Sequence, residues 1–221
     1  MQLVLYSFRR CPYAMRARMA LEVSNTAFEH REIELKHKPA HLLEISPKGT
    51  VPVLWIQDHG EQRVIEQSLD IMRWALGRSD PEGWLLDKQI HLSEMLDLIK
   101  KNDEHFKFNL DRYKYPHRYQ LSDPMPYRQQ GQLFLEDLNK RLEKSACLWG
   151  PTRCLADAAL MPFVRQFSKV DPTWFEQLPF EKLKAWLHDF ESSELFVSIM
   201  SKKPLWAPST SSSNANLTSQ G

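Results

Sequence analysis

The sequence predicts an α/β domain followed by an all-helical domain. Short apolar strands alternate with helical patterns in the first third of the chain, in the order βαβαββα. Beyond residue 78 the strand pattern stops, and apolar residues recur only at helical spacing. Mixed elements followed by helices alone are typical of an open sheet that packs against a helical domain. We therefore predict a sheet domain over 1–78, a linker over 79–87 and a helical domain over 88–206.

Each element of the sheet domain has its own signal in the sequence. The first strand covers residues 3–8 and leads into a helix whose apolar residues Ala14, Ala17 and Leu21 are three and four positions apart. A second strand is predicted over 28–35, a short helix over 39–45, and a pair of strands over 51–56 and 63–65. Gln67 opens the last helix of this domain.

In the second domain, helical periodicity is predicted over 92–106, from 126 onward, over 155–167 and over 180–200. Pro162 lies within the third of these patterns, where it removes a backbone hydrogen bond. We favour a kinked helix because the apolar stripe continues across the proline, and a helix break is the alternative.

Composition excludes several functional classes. The 221 residues carry a net charge of +1, so no overall field would attract the protein to nucleic acid or to a membrane surface. No apolar run is long enough to span a membrane. Cys11, Cys147 and Cys154 lack metal-ligand spacing, and His37 and His41 lack a third ligand. We expect a cytoplasmic protein without a metal and with a disordered tail over 207–221, which is rich in Ser, Thr and Asn.

Cys11 is the candidate nucleophile. It lies between the first strand and the first helix, and Pro12 occupies the first helical turn. Amide donors and the helix dipole at such a position stabilise a thiolate, so the sequence predicts a reactive thiol of low pKa. The alternative is a small buried residue at a helix start. Ala14 stands where a resolving cysteine would stand, so a second thiol must come from another molecule.

A family resemblance supports the reactive alternative. The run Cys11-Pro12-Tyr13-Ala14-Met15-Arg16 resembles the Cys-Pro-Phe/Tyr-x-x-Arg motif of cysteine-containing cytosolic glutathione transferases, closest to the omega class. The similarity covers about 3–206. It implies a thioredoxin-like N-terminal domain within the glutathione transferase fold, glutathione as co-substrate and a homodimer.

The resemblance also implies binding roles for two further motifs. Val51 and Pro52 match the segment whose proline is cis and whose preceding residue pairs with the cysteinyl part of glutathione; an ordinary edge-strand proline is the alternative. Gln67 and Ser68 match the pair that holds the γ-glutamyl end, although omega enzymes usually have Glu at the first position. A simple helix cap is the alternative for this pair.

Two more residues complete the implied site. Lys38 matches the lysine near the glycyl carboxylate of glutathione, and a solvated lysine is the alternative. Tyr13 matches the aromatic residue beside the cysteine that contacts bound glutathione, and core packing is its alternative. In the helical domain, Cys154 and Asp157 match the family's helix capping box.

The implied activity is thiol transfer through a mixed disulfide between Cys11 and glutathione. Its substrates would be disulfides, glutathionylated adducts or small molecules similar to dehydroascorbate. Conjugation of glutathione to electrophiles is one alternative. A non-catalytic protein that uses the same fold for binding or regulation is another.

Overall fold

A four-stranded mixed sheet forms the centre of the N-terminal domain in the computed structural model, which describes residues 1–86 and 89–208. The strands are β1 (Gln2–Ser7), β2 (Glu29–Glu32), β3 (Val53–Asp58) and β4 (Glu61–Ile65). Their spatial order is β2-β1-β3-β4, with β1 parallel to β2 and antiparallel to β3. The helices of this domain are α1 (Pro12–Val23), α2 (Ala40–Ile45) and α3 (Ser68–Arg78). The predicted order βαβαββα is confirmed.

Strand β1 is buried on both faces, and its successive side chains point alternately into two apolar cores. Leu3 and Leu5 point into the large core that α1 and α3 share with the helical domain. Val4 and Tyr6 point to the other face, where a smaller core includes Leu42 of α2. The loop that follows β1 is therefore held by a strand with little freedom to move.

The helical domain contains a succession of helices. They are α4 (Gln89–Lys101), a π-helical segment (Asn102–Phe106), α5 (Lys107–Lys114), a 3₁₀ helix (Pro116–Tyr119), α6 (Met125–Leu142), α7 (Leu155–Ser168), α8 (Pro172–Glu176), α9 (Glu181–Ser192) and α10 (Glu194–Ile199). The single helix predicted over 180–200 is wrong, because Ser193 is extended and its Oγ accepts a hydrogen bond from the Phe196 amide at 3.3 Å. Ser193 thus ends α9 and caps α10.

Helix α7 passes through Pro162 without interruption, so the alternative of a helix break is wrong. Its capping box is formed in both directions, although a cysteine occupies the cap position. Asp157 accepts a hydrogen bond from the Cys154 amide at 3.0 Å and another from the Trp186 indole at 2.8 Å. The carboxylate therefore ties the start of α7 to α9.

Polar contacts also join the domains outside the apolar core. The buried Arg16 of α1 donates from Nε to the Ala159 carbonyl oxygen at 2.6 Å and binds the Asp103 carboxylate with both terminal nitrogens. At the end of the helical domain, Leu205 forms a parallel bridge with Glu32, and the Trp206 amide donates to the Glu32 carbonyl oxygen at 2.8 Å. The chain thus returns to the edge strand β2.

In the part of the chain that the structure describes, no helix is both long enough and apolar enough to cross a membrane. The predicted tail lies outside the described residues from position 209 onward.

Candidate active site

Cys11 occupies the N-cap position of α1, directly after the turn that follows β1. Its amide donates to the Phe8 carbonyl oxygen at 3.0 Å, which closes this turn. Its Sγ donates to the Val51 carbonyl oxygen at 3.6 Å. The side chain is partly exposed, whereas Cys147 and Cys154 are buried. Cys11 is therefore the most exposed of the three thiols.

Burial controls the ionisation of Cys11. Desolvation raises the pKa of the thiol above its ordinary value, and the Ala14 and Tyr13 amides lower it by less. The low pKa predicted from the helix start is therefore wrong. The amides are present as predicted, but the packing around the sulfur outweighs them.

The peptide bond between Val51 and Pro52 is cis, as the resemblance implies. The two residues lie immediately before β3, which places the Val51 carbonyl group opposite Cys11. Residues 40 positions apart in the sequence are thus in contact at the ends of neighbouring strands.

A cavity of about 380 Å³ opens beside this contact. Its lining residues are Tyr13, Lys48, Thr50, Val51, Pro52, Glu66, Gln67, Ser68 and Asp103. Five of the predicted site residues thus line one cavity, and Cys11 adjoins it through Val51. Gln67 caps α3 without a side-chain cap hydrogen bond, and Ser68 is the first helical residue. This helix start offers amide donors and a positive dipole end to an anionic group.

Lys38 is not among the lining residues. It packs against Gly49, where an added Cβ would lie 3.2 Å from its Nζ. Lys48 lines the cavity instead, and its Nζ is 3.6 Å from Glu66. Glu66 is further held by the Ser46 hydroxyl, which donates to it at 2.5 Å. Motif spacing did not single out Lys48 or Glu66, although both flank predicted segments.

Asp103 is the one lining residue that the helical domain contributes. It lies in the π-helical segment. Its two carboxylate oxygens accept hydrogen bonds from the terminal nitrogens of Arg16 at 2.6 and 2.9 Å, which neutralises its charge. Single-turn π segments are frequent at functional sites. The sequence carries no signal for Asp103, because its place in the cavity depends on how the domains pack.

Tyr13 forms the wall between the cavity and the helical domain. Its ring meets Phe163 edge-on, with ring centres 4.9 Å apart, and the Arg16 guanidinium lies over it at 5.4 Å. Burial, with a smaller contribution from Asp103, raises the pKa of Tyr13 to about 12. The phenol is therefore protonated at neutral pH and can donate a hydrogen bond.

The two histidines that the sequence places four apart have separate partners. His37 pairs with Glu34 at 2.9 Å, and His41 with the Tyr6 hydroxyl at 2.6 Å. Within residues 1–86 and 89–208, no group of three His, Cys, Asp or Glu side chains could hold a metal ion.

Comparison with known sequences places the N-terminal domain in a family. Residues 5–83 match the family model of the glutathione S-transferase N-terminal domain. Pyrimidodiazepine synthase of Drosophila melanogaster is 38% identical over 70 residues, which are 32% of this chain and 29% of that protein. Glutathione S-transferase omega-1 of Mus musculus is 43% identical over 53 residues, which are 24% of this chain and 22% of that protein. The matched segments thus span less than a third of either relative.

Solved structures extend the likeness to the whole fold. A glutathione transferase family member from Pseudomonas fluorescens with two glutathione bound has a TM-score of 0.77 at 17% identity, and covers 90% of this chain and 92% of its own. Glutathione transferase Omega 3C from Trametes versicolor has a TM-score of 0.72 at 20% identity, covering 94% and 92%. Residues 5–83 thus match the glutathione S-transferase N-terminal domain in sequence, and the whole chain shares the glutathione transferase fold.

Proposed function

We propose that the protein is an omega-like, glutathione-dependent thiol transferase with Cys11 as its nucleophile. The observation that carries this proposal is the contact between Cys11 and Val51 at the edge of the cavity. A sulfur atom held there can react with a ligand that fills the cavity. The names of two matched relatives, glutathione S-transferase omega-1 and glutathione S-transferase DHAR3 of Arabidopsis thaliana, support a glutathione-dependent reaction.

The cavity suits glutathione in size and charge. Its volume of about 380 Å³ lies in the ~300–1,000 Å³ range of small-molecule sites. The start of α3, with Gln67 and Ser68, offers donors to a carboxylate, and Lys48 offers a positive charge. Glu66 offers an acceptor to an ammonium group. A zwitterionic tripeptide with two carboxylates meets complementary groups on these walls.

In the proposed reaction, the Cys11 thiolate attacks the glutathione sulfur of a mixed disulfide. The new bond joins Cys11 to glutathione, the old disulfide bond breaks, and the other thiolate leaves and takes a proton from solvent. A second glutathione thiolate then attacks the bound glutathione sulfur. This step releases glutathione disulfide and returns Cys11 as a thiolate, so each cycle converts one mixed disulfide and one glutathione thiol into one substrate thiol and one glutathione disulfide. Reduction of a dehydroascorbate-like molecule would form the same adduct, because the Cys11 thiol and one glutathione thiol supply the two electrons and become the mixed disulfide that a second glutathione then resolves.

Intact-protein mass measurement tests the proposal. Treatment with glutathione disulfide should add one glutathione to the wild-type chain, and Cys11→Ser should abolish both the adduct and thiol transfer. Cys147→Ser is the matched control and should retain both, because Cys147 is buried. A Cys11→Ser variant with full disulfide-reducing activity would overturn the mechanism. Glutathione binding without an adduct would favour conjugation or a purely binding role.

We also propose a cytoplasmic homodimer, as the family resemblance implies. Sedimentation of the purified chain tests the second copy, and a single species of about 26 kDa would contradict it.

A further inference from the structure

Arg18 is a buried cation whose close partners are neutral. Its side chain is 2% exposed. Nε donates to the Ile199 carbonyl oxygen at 3.0 Å, and Nη1 donates to the Ser7 hydroxyl at 2.6 Å. Nη2 donates to the Arg9 carbonyl oxygen at 2.8 Å and lies 3.9 Å from the Met200 sulfur. Among the described residues, no carboxylate comes within ion-pair distance of this guanidinium.

Arg16, two residues earlier on the same helix, has the carboxylate partner that a buried arginine ordinarily has. It is fully buried, and the Asp103 carboxylate accepts from both of its terminal nitrogens. A buried charge without a counter-charge is costly, whereas a paired one is tolerated. Helix α1 thus carries one neutralised guanidinium and one that is not.

The unpaired guanidinium holds the turn that carries Cys11. The Phe8 carbonyl oxygen accepts from the Cys11 amide at 3.0 Å and from Arg18 Nη1 at 3.4 Å. Arg18 also binds the Arg9 carbonyl oxygen, so it contacts two of the three residues before Cys11. A shift of Arg18 would therefore move the Cys11 backbone.

The charged groups that face this turn come from several elements. Arg9 and Arg10 flank Cys11, Lys107 approaches from α5, and Glu32 approaches from β2. The Glu32 carboxylate is already engaged, since it accepts from the Arg9 amide at 2.6 Å and pairs with His30 at 3.0 Å. Arg18 and Lys107 each lower the pKa of Cys11, against the larger effect of burial.

We propose that Arg18 is a positioning residue for Cys11, which fixes the Phe8–Cys11 turn and adds positive charge that favours the Cys11 thiolate. The inference rests on the proposed function in that Cys11 must act as a thiolate. When the thiol loses its proton to solvent, the buried guanidinium gains a second nearby anion besides Glu32. Arg18 does not contact the substrate.

The pH dependence of Cys11 alkylation by iodoacetamide, read by mass on the Cys11 peptide of the full chain, tests the charge. Arg18→Met should raise the apparent pKa, with a roughly tenfold lower thiolate fraction at neutral pH for each unit of the rise. Arg18→Lys keeps the charge but loses the planar fork, so its midpoint should stay near that of the wild type while kcat for thiol transfer falls. If Arg18→Met does not fold, Arg18→Gln takes its place.

The matched control is the double variant Arg16→Met with Asp103→Asn. It removes a buried guanidinium from the same helix and leaves the net charge unchanged, so the alkylation midpoint should not move. An unchanged midpoint in the uncharged Arg18 variant, or an equal rise in the control or in Arg18→Lys, would overturn the assignment. Alkylation needs no glutathione, so this outcome is independent of whether thiol transfer itself is found.

Discussion

At the scale of single residues, the most testable property is the raised pKa of Cys11. Because the thiolate is the reacting form, adduct formation with glutathione disulfide should accelerate with pH, about tenfold per unit while pH stays below the Cys11 pKa. The rate is measured from intact-protein mass spectra taken at short reaction times. The pH is varied from roughly 6.5 to 8.5, where protein thiols commonly ionise. A rate that levels off below neutral pH would show that the thiol is already ionised.

The binding residues should affect affinity more than chemistry. Lys48 and Ser68 line the cavity and neither supplies a reacting atom, so Lys48→Ala and Ser68→Ala should each raise KM for glutathione and change kcat little. Lys38→Ala should have the smaller effect of the two lysine variants, because Lys38 packs against Gly49 outside the lining. Steady-state kinetics at varied glutathione concentration decides the order. The reverse order would return the carboxylate-binding role to Lys38.

The sequence predicts the site where local motifs carry it and fails where packing decides. Cys11, Val51, Pro52, Gln67 and Ser68 each belong to a short motif at an element boundary, and the structure brings them together. Asp103 enters the cavity only because α1 meets the helical domain, and the Cys11 pKa depends on the same packing. No spacing in one sequence reports such contacts.

At the scale of elements, the close approach of Phe167 in α7 to Gly131 in α6 gives a clear prediction. A Cβ at Gly131 would lie 2.4 Å from Cε2 of Phe167, well inside contact distance. Gly131→Ala should therefore lower the free energy of unfolding by about 1 to 3 kcal/mol. Urea denaturation measures the change.

Gly77→Ala is the matched control, because Gly77 lies in α3 with nothing within 4 Å of the added methyl group. It should be neutral or stabilising by up to about 1 kcal/mol, as expected for Ala in place of Gly in a helix. Equal losses in the two variants would mean that Phe167 is not tightly packed against Gly131.

Element type was predictable from periodicity, whereas interruptions within helices were not. The strands and helices of the sheet domain follow local patterns that short segments carry. The π-helical segment contains no residue type that would distinguish it from an α-helix in the sequence. The extended Ser193 lies inside an apolar pattern that is compatible with one continuous helix. The break at Ser193 is a local cap, in which its Oγ accepts from the Phe196 amide, and apolar spacing alone does not report it.

At the scale of the whole molecule, the segment after α10 fastens the helical domain to the sheet. A chain that ends at Lys203 would lose the Leu205 bridge, the hydrogen bond to Glu32 and the Arg31 guanidinium stacked 4.3 Å from the centre of the Trp206 ring. We expect a loss of about 1 to 3 kcal/mol in the free energy of unfolding.

A chain that ends at Pro208 should keep its melting temperature, because the composition of the residues beyond it offers little apolar surface to bury. Thermal unfolding of the two shortened chains compares them, and equal melting temperatures would contradict the role of this segment.

The return of the chain to β2 also gives the two domains a second connection. The sheet domain is connected to the helical domain through the backbone after Arg78 and again, without a covalent bond, through Trp206 and Glu32. A single peptide-bond cleavage between the domains would therefore open one connection and leave the other in place. The halves should melt together as one cooperative unit, and a nicked protein should still migrate as a single particle.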